Sequence, residues 1–580
     1  MGQDIITCPR IMPTLTAHRT LQPMDLLLAC GLTLLACVHR VAFLCSNIDR
    51  NWPFTLFYQG DSLAFFLHAR ALLEGGVFDG GIPFHPPGFP HFLALIHVLA
   101  GAGPEAVEIS HFKIKLLLAL VGSLPVGLLY LTVLPYLGRS VALLSAFLCV
   151  YHFGLYVLAV APVSEGLYLV LLLVSILLWS HYMEHPLAAR PPFRPGAVGR
   201  WAVPLLLGII LGLMALTRAE GVLVAILLVG IGIVGRVGSL LRIHRKSAHG
   251  REASPPSGGI FSSPGGRGIV PWILVAVGFC MTLLPWTVRN AVVLSDINET
   301  RPRHLEALPT FVPITIYGPL NLALANNIEA DGTFSRDLLR SPDAAPRLDP
   351  TDPQHLVYLL HGHRIAWRFV QENPWAFARL VFRKWSIYFE ALKLGWTQWD
   401  WPGGLSGIRR PVDIFVPYGN ALPWRLTPLI LVGLVCCLRA GEKPRRWAIL
   451  AILLTGCGLA VTALFFGYVR QGLLLLPFWL TLAAAGILFV ANWLSERFRK
   501  TPAQVGRMGS PSPFSLPPGR TLVLILVLTA FVLFALELRG SVSERDYRAM
   551  GSRLTGEAFP NPDALIRLDV LPAGSGGRGG

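Results

Sequence analysis

The feature that most constrains this chain is a series of apolar runs, each close to the length of a membrane-spanning helix. A helix needs about 20 apolar residues to cross a hydrocarbon core of about 30 Å. The sequence therefore predicts an all-α polytopic membrane protein, a bundle of about eleven transmembrane helices. The predicted spans are residues 24–45, 114–136, 140–160, 164–183, 201–217, 220–236, 269–289, 424–438, 446–467, 471–494 and 520–538.

The composition supports a membrane protein over a soluble one. Charged residues make up only 14% of the 580 positions, whereas a soluble chain carries about 25%. The net charge of +16 raises the alternative of nucleic-acid binding, but the basic residues lie in short loops and not on one aromatic-rich patch. We expect no nucleic-acid partner. The nine cysteines show no CxxC pair or Cys/His metal spacing, so neither a disulfide framework nor a zinc site is expected.

The basic residues also predict an orientation. Alternate loops are short and rich in Lys and Arg, which the positive-inside rule assigns to the cytoplasm together with the N-terminus. Residues 1–495 then form the transmembrane core, with cytoplasmic linkers at 237–268 and 496–519 and a short outer tail at 539–580. The long outer loops are 46–113 and 290–423. Their amphipathic segments, Leu63 to Leu73 and Ala366 to Leu392, are predicted to be helices at the membrane interface.

Several charged residues fall at the outer ends of the predicted spans, far apart in sequence but on one face. A charge at the bilayer centre costs about 2.5–3.5 kcal/mol on insertion scales, so charges near span ends need a reason. Carboxylates, cations and a histidine at one depth suit acid–base chemistry on an anionic, lipid-linked substrate. The group comprises Asp61, His85, Lys113, Lys115, Glu165, Arg218, Glu220, Arg289 and Arg470.

Each of these residues also has a purely structural interpretation. Asp61 and Glu165 fit acids that stabilise the N-terminus of a helix. Arg218 and Arg289 fit side chains that reach from a span end to the interface. His85, which precedes two prolines, fits an ordinary loop residue. The agreement of so many positions on one face favours the chemical interpretation.

Short motifs along residues 20–495 occur in an order that resembles a known family. The chain resembles the bacterial GT-C glycosyltransferases of the dolichyl-phosphate-mannose–protein mannosyltransferase superfamily, in the RgtA/B/C/D-like branch that includes the aminoarabinose transferases. The motifs are Asp61 with Phe65 and Ala69, Pro86-Pro87-Gly88, Gly138-Arg139, Ser164-Glu165, Gly212 to Arg218, Pro285-Trp286 with Arg289-Asn290, Gly318 to Gly332, Asn373 to Lys384, and Tyr468 to Pro477.

The resemblance implies a GT-C-type bundle that uses a polyprenyl-phosphate sugar donor on the outer face of the bacterial inner membrane, with inversion at the sugar carbon. It assigns to Asp61 the role of base or acceptor-positioning group, and to Glu165 that of a second acidic residue. The leaving lipid phosphate needs cations. The candidates are Arg218, Arg289, Arg470, Lys113, Lys115 and Lys384, with His85, Glu220 and Asn326 as further site residues.

The chain departs from the family pattern at three positions. Phe65 stands where the family commonly has Tyr, and Ala325 stands where a Gly is expected before Asn326. Ser62 follows Asp61, so there is no paired-acid motif to support a divalent metal, and we expect no cofactor. A transporter or flippase of lipid-linked sugars and a non-catalytic scaffold remain alternatives. The sugar stays open, as does the choice of a lipid, glycan or protein acceptor.

Overall fold

The computed structural model describes residues 21–498 apart from 47, 56–58, 77–81, 104–108, 185–198, 248–269, 335–336, 340–347, 349 and 393–421. The predicted span at 520–538 and the tail at 539–580 lie outside the described residues. Within the described ranges the regular structure is helical and includes no strand. The helices are α1 (Pro23–Ser46), α2 (Gln59–Leu73), α3 (Gly88–Leu99), α4 (His111–Tyr151), α5 (Phe153–Val160), α6 (Ser164–Glu184), α7 (Gly199–Thr217), α8 (Gly221–Ser247), α9 (Val270–Thr300), α10 (Gly318–Ala325), α11 (Pro353–Glu372), α12 (Pro374–Phe389), α13 (Leu422–Arg439), α14 (Glu442–Leu464), α15 (Val469–Leu473) and α16 (Leu476–Phe498).

The chain is a multi-pass membrane protein made of helices. Five helices in the described ranges, α1, α4, α9, α14 and α16, are long and apolar enough to cross a membrane. The pair α5–α6 adds a sixth candidate if it is counted as one broken span. Helices α7, α8 and α13 contain apolar stretches of 10–17 residues, shorter than a typical span. The count of about eleven spans therefore stays a prediction.

The chain departs from helical geometry where the second and third predicted spans, 114–136 and 140–160, were expected to separate. Helix α4 extends from His111 to Tyr151 but is kinked at Gly138, whose backbone angles are not helical. The third predicted span is itself divided at His152, between α4 and α5. Gly138 has a φ of +80°, a conformation that glycine adopts at little cost. The chain then bends by 104° between α5 and α6, and this bend places Ser164 and Glu165 at the start of α6.

The long loops predicted to face outward contain the shorter helices. The loop at 46–113 holds α2 and α3, and the loop at 290–423 holds α10, α11 and α12. The segment predicted as one amphipathic stretch, Ala366 to Leu392, is divided at Asn373, because Pro374 begins α12. Large aromatic side chains on α11 and α12 are exposed, including Trp367, Trp375 and Phe382. This exposure fits the predicted position at the membrane interface.

Glycines allow several helices of the bundle to pack with their backbones in close contact. Gly88, which follows Pro86 and Pro87, starts α3, and a Cβ atom there would lie 2.8 Å from the backbone nitrogen of Thr217 at the end of α7. Likewise, a Cβ atom on Gly433 of α13 would lie 1.8 Å from the carbonyl oxygen of Leu482 on α16. Small residues permit such close helix contacts in membrane proteins. The Pro-Pro-Gly motif therefore fixes the first outer loop against the turn that carries Arg218.

Candidate active site

Five charged side chains form a continuous series of ion pairs at the ends of four chain segments. Arg470 pairs with Asp61, and its Nε atom lies 3.2 Å from Oε1 of Glu165. Arg218 pairs with the same carboxylate of Glu165, and its Nε atom lies 2.7 Å from Oε1 of Glu220. The two arginines thus alternate with three carboxylates. We call Asp61, Arg470, Glu165, Arg218 and Glu220 the charge network.

Glu165 is the buried centre of the charge network. Its side chain is 0% exposed, forms ion pairs with both arginines and accepts hydrogen bonds from Arg218 and Ser164. Arg218 Nη1 also donates to Ser164 Oγ over 3.1 Å. The carboxylate lies in the first turn of α6, where the positive end of the helix dipole stabilises an anion. An ionised acid at this depth is therefore stable because it is paired twice and lies at a helix N-terminus.

Arg470 is held by a rigid, very short element. It lies on α15, which has five residues, and its guanidinium stacks 5.0 Å from the ring centre of Tyr468. The glycines on either side lie against α12: a Cβ atom on Gly467 would be 2.7 Å from the carbonyl oxygen of Lys384, and one on Gly472 would be 2.2 Å from that of Tyr388. Burial alone would lower the pKa of Arg470, but Glu165 and Asp61 raise it.

Asp61 is the member of the charge network that solvent reaches most easily. It lies in the first turn of α2, and its side chain is 50% exposed. Desolvation acts to raise the pKa of Asp61, but the charge and hydrogen bond of Arg470 outweigh it and hold that pKa below its usual value. Electrostatic interactions with His85 and Arg218 also lower the pKa of Asp61. Asp61 is therefore ionised and accessible to an incoming molecule.

His85 lies beside Asp61, as the sequence led us to expect. Its ring contacts Phe65 at a centroid distance of 6.1 Å and His68 at 4.9 Å. Phe65 and His68 follow Asp61 by four and seven positions, so they share one face of α2. The imidazole therefore belongs to the wall around the exposed carboxylate.

Lys113 and Lys115 were both predicted to bind phosphate, but the structure places them in different surroundings. Lys115 is buried and donates to the carbonyl oxygens of Asp49 at 2.5 Å and Phe54 at 2.8 Å, with the Asp49 carboxylate 3.6 Å away. Thr55 joins this group, since its hydroxyl donates to Asp49 and its backbone N–H donates to Ser62 Oγ. Lys115 therefore anchors the segment leading to Asp61. Lys113 is exposed in the first turn of α4.

Lys384 and Asn326 also serve a supporting role in this structure. The Lys384 ammonium donates to Asn326 Oδ1 at 2.9 Å and to the Ala463 carbonyl at 3.2 Å. Asn326 Nδ2 in turn donates to the Leu464 carbonyl at 2.7 Å. Burial lowers the pKa of Lys384 to about 7. Both residues hold the end of α14, from which the chain continues to Arg470.

Arg289 is held within its own helix. Its guanidinium lies 4.8 Å from the ring centre of Trp286, and Nη1 lies 3.2 Å from Oδ1 of Asn290. Asn290 is buried and donates to the carbonyl oxygen of Val312 at 2.9 Å. The Pro-Trp-x-x-Arg-Asn motif therefore fixes both the loop after α9 and the position of Arg289.

A groove that sequence reasoning missed adjoins Glu220. It has a volume of about 50 Å³ and is lined mainly by apolar side chains of α6, α8, α14 and the short segment after α15. Its polar lining includes Tyr168, Glu220, Tyr388 and Gln471. Among the described residues, Tyr388 Oη and Gln471 Oε1 are buried without a hydrogen-bond partner. The tyrosines occur in apolar, aromatic-rich segments, so nothing in the sequence distinguished them from ordinary core residues.

The described ranges also bear on metal binding. They include no group of three or more His, Cys, Asp or Glu side chains arranged to hold a metal ion.

The middle of the chain matches the sequence model of a known protein family. The sequence model of the dolichyl-phosphate-mannose-protein mannosyltransferase family matches residues 84–299. This match confirms the resemblance to the dolichyl-phosphate-mannose–protein mannosyltransferase superfamily, whereas the RgtA/B/C/D-like branch stays a prediction. It includes Glu165, Arg218 and Glu220, whereas Asp61 and Arg470 lie outside the matched residues.

Two solved structures of one archaeal protein are similar to this chain at low sequence identity. The apo oligosaccharyltransferase of Archaeoglobus fulgidus is 14% identical with a TM-score of 0.40, and the match covers 94% of this chain and 58% of the archaeal one. The same archaeal protein, AglB, in complex with an inhibitory peptide and a dolichol-phosphate is 12% identical with a TM-score of 0.41 and the same coverage. The chain thus spans under two thirds of the length of these proteins. No curated protein matched the sequence.

Proposed function

We propose that this protein is an integral-membrane glycosyltransferase of the GT-C type. It transfers a sugar from a polyprenyl-phosphate donor to an acceptor hydroxyl by inverting displacement. The charge network carries the proposal, because it combines an exposed carboxylate with two arginines that the buried Glu165 holds in place. The match of residues 84–299 to the mannosyltransferase family supports the same class of reaction.

Asp61 is the proposed base. An acceptor hydroxyl must lose its proton as its oxygen attacks the anomeric carbon, and a positioned carboxylate accelerates such a step by about 10²–10⁴-fold. Asp61 is ionised and half exposed, so a hydroxyl can approach it from solvent. In this step the new C–O bond forms to the acceptor, the C–O bond to phosphate breaks, and the proton passes to Asp61.

Arg470 and Arg218 are the proposed phosphate-binding residues. Negative charge grows on the phosphate oxygens as the sugar leaves, and arginine pairs with phosphate through two parallel hydrogen bonds. Glu165 holds both guanidiniums in place from the buried side. Cations that are already positioned stabilise developing charge without reorganising during the reaction. Lys113 and Arg289 are further candidates from the rim.

The groove beside Glu220 is the proposed seat of the donor's lipid chain. Its apolar lining suits a polyprenyl tail, and its polar end adjoins the charge network through Glu220 and Gln471. A lipid phosphate could therefore reach Arg218 while its tail lies between α8 and α14. Small-molecule sites commonly combine such an apolar lining with a few polar groups.

The proposed location is the bacterial cell membrane, with the N-terminus in the cytoplasm and the charge network on the non-cytoplasmic face. The basic loops support this orientation through the positive-inside rule. The acceptor is a lipid, a glycan or a protein whose hydroxyl reaches Asp61. The outer helices α10, α11 and α12 are the proposed contact surface for it.

A transfer assay tests the proposal. Purified protein is incubated with radiolabelled polyprenyl-phosphate sugars and a pool of lipid, glycan and protein acceptors. We expect wild-type protein to transfer label and Asp61→Asn to lose at least about 100-fold of that rate. Asp331→Asn is the matched control, since Asp331 is an exposed outer-loop acid paired with Arg383. Movement of labelled lipid across proteoliposomes without transfer would instead identify a flippase.

A further inference from the structure

A buried arginine lies inside the helix bundle on α1. Arg40 is 2% exposed, although α1 is among the helices long and apolar enough to cross a membrane. In the described part of the chain, its Nε and Nη1 atoms have no hydrogen-bond partner. Arginine inside a membrane is energetically costly, and such residues are normally paired. A guanidinium in this position requires a compensating negative charge.

Arg40 lines a small internal cavity. The cavity lies between α1, α4, α5, α6 and the start of α16, and its lining is apolar apart from Arg40 and Cys149. No carboxylate lines it. The nearest acid along the lining segments is Glu165, next to the lining residue Gly166, and its carboxylate is already paired with Arg218 and Arg470.

Two helix N-termini also reach this cavity. Gly166 is the third residue of α6, and Pro477 is the second residue of α16; both line the cavity with Arg40. The N-terminal end of a helix carries a partial positive charge of about half an elementary charge. The guanidinium and the two helix ends therefore produce positive potential in one small apolar space, which favours an anion.

The size of the space selects the kind of anion. The free volume accepts a particle about the size of one water molecule, and a lipid phosphate or a nucleotide is far larger. A water molecule satisfies hydrogen bonds but brings no charge. We propose that Arg40, with the N-termini of α6 and α16, forms a buried site for a single halide-sized anion. Chloride is the physiological ion of that size, and in this site it acts as a structural counter-ion beneath the charge network.

Thermal unfolding at constant ionic strength tests the site. Purified protein is compared in chloride, bromide and gluconate, the last being too large for the cavity. We expect the wild-type unfolding midpoint to rise saturably with chloride, by about 2 °C or more, because a ligand that binds only the folded state stabilises it. Arg40→Met should abolish this response. Arg383→Met, at an exposed arginine, should retain it, and so should Cys149→Ala if the counter-charge is an anion and not the Cys149 thiolate.

A direct measurement covers the case in which Arg40→Met does not fold. Bromide scatters X-rays anomalously, so a wild-type structure determined in bromide should show a peak about 3–3.5 Å from the Arg40 guanidinium. A peak only at Arg218 or Arg470, or no peak, overturns the proposal. Identical midpoints in chloride and gluconate, or a chloride response lost in Cys149→Ala, overturn it as well.

Discussion

Asp61 and Arg470 form an ion pair at the mouth of the candidate site. The proposed base is therefore engaged by one of the cations proposed to bind the donor phosphate. A phosphate that reaches Arg470 competes with the Asp61 carboxylate for the same guanidinium. Donor binding and release of the base are consequently linked in this arrangement.

This competition gives a prediction for Asp61→Asn. The variant should lose transfer activity but bind polyprenyl phosphate more tightly, by up to about fivefold, which is the range of a partly exposed ion pair. Titration of polyprenyl phosphate into detergent-solubilised protein measures the affinity. Asp331→Asn should bind as wild type does. Weaker binding by Asp61→Asn would show that the carboxylate helps to hold the phosphate.

Glu165 and Glu220 should differ in their effect on stability. Glu165 is fully buried and contacts both arginines, whereas Glu220 is partly exposed and pairs with Arg218. Removing one partner of a buried ion pair leaves an uncompensated charge, so Glu165→Gln should lose up to about 3 kcal/mol of unfolding free energy. Glu220→Gln should lose less. Thermal unfolding in detergent ranks the two, and the reverse order would contradict the proposed central position of Glu165.

Lys115 should act on activity through the position of Asp61. Lys115→Met removes the cation beside the buried Asp49 carboxylate, so the variant should be destabilised and should transfer sugar more slowly. The double variant with Asp49→Asn should recover part of the stability, because it removes the buried negative charge together with its cation. Unfolding midpoints and transfer rates are measured for both single variants and the double variant. Simple additivity of the two losses would show that the pair is not coupled.

Lys384 predicts a pH dependence of stability. Its pKa falls from 10.5 to about 7 in the folded chain because of burial. Between these pH values the unfolded chain binds more protons than the folded one at this residue, so stability should rise as the pH increases from about 7 toward 10. Unfolding midpoints across this range test the sign. Lys384→Met should flatten the rise, whereas Arg383→Met on the same helix should leave it.

The groove predicts sensitivity to the length of the donor lipid. Cys457→Trp places a large side chain in the groove, so the KM for a long-chain polyprenyl-phosphate sugar should rise about tenfold or more. The KM for a short, water-soluble analogue should change little. Ile452→Trp is the matched control, because Ile452 is an exposed residue of the same helix. Equal effects on both donors would place the lipid elsewhere.

The sequence was informative where chemistry and topology restrict each other. Charged side chains inside a membrane are costly, so charges close to the predicted spans attract attention. Asp61, Glu165, Arg218, Glu220 and Arg470 could therefore be grouped on one face before any distance was known. The structure brings these five together. The helical class also followed from the apolar runs, because backbone groups in lipid must be satisfied internally.

The remaining details depend on contacts between distant segments. Lys115 and Lys384 are cations at the predicted outer face, but only the fold shows that Asp49, Asn326 and backbone carbonyls occupy them. The break of the chain at His152 was missed because the apolar run at 140–160 continues across it. Tyr388 and Gln471 were not among the candidate site residues, because only the fold places them beside the groove.

The glycines beside Arg470 have a consequence for how the two substrates communicate. Gly467 and Gly472 bring the backbone at both ends of α15 against Lys384 and Tyr388 of α12. A displacement of α12 would therefore move Arg470 directly, because no flexible linker separates them. If the proposed function holds, an acceptor that docks on α12 would shift the guanidinium proposed to bind the leaving phosphate. Binding of the acceptor and activation of the donor would then be coupled through these two glycines.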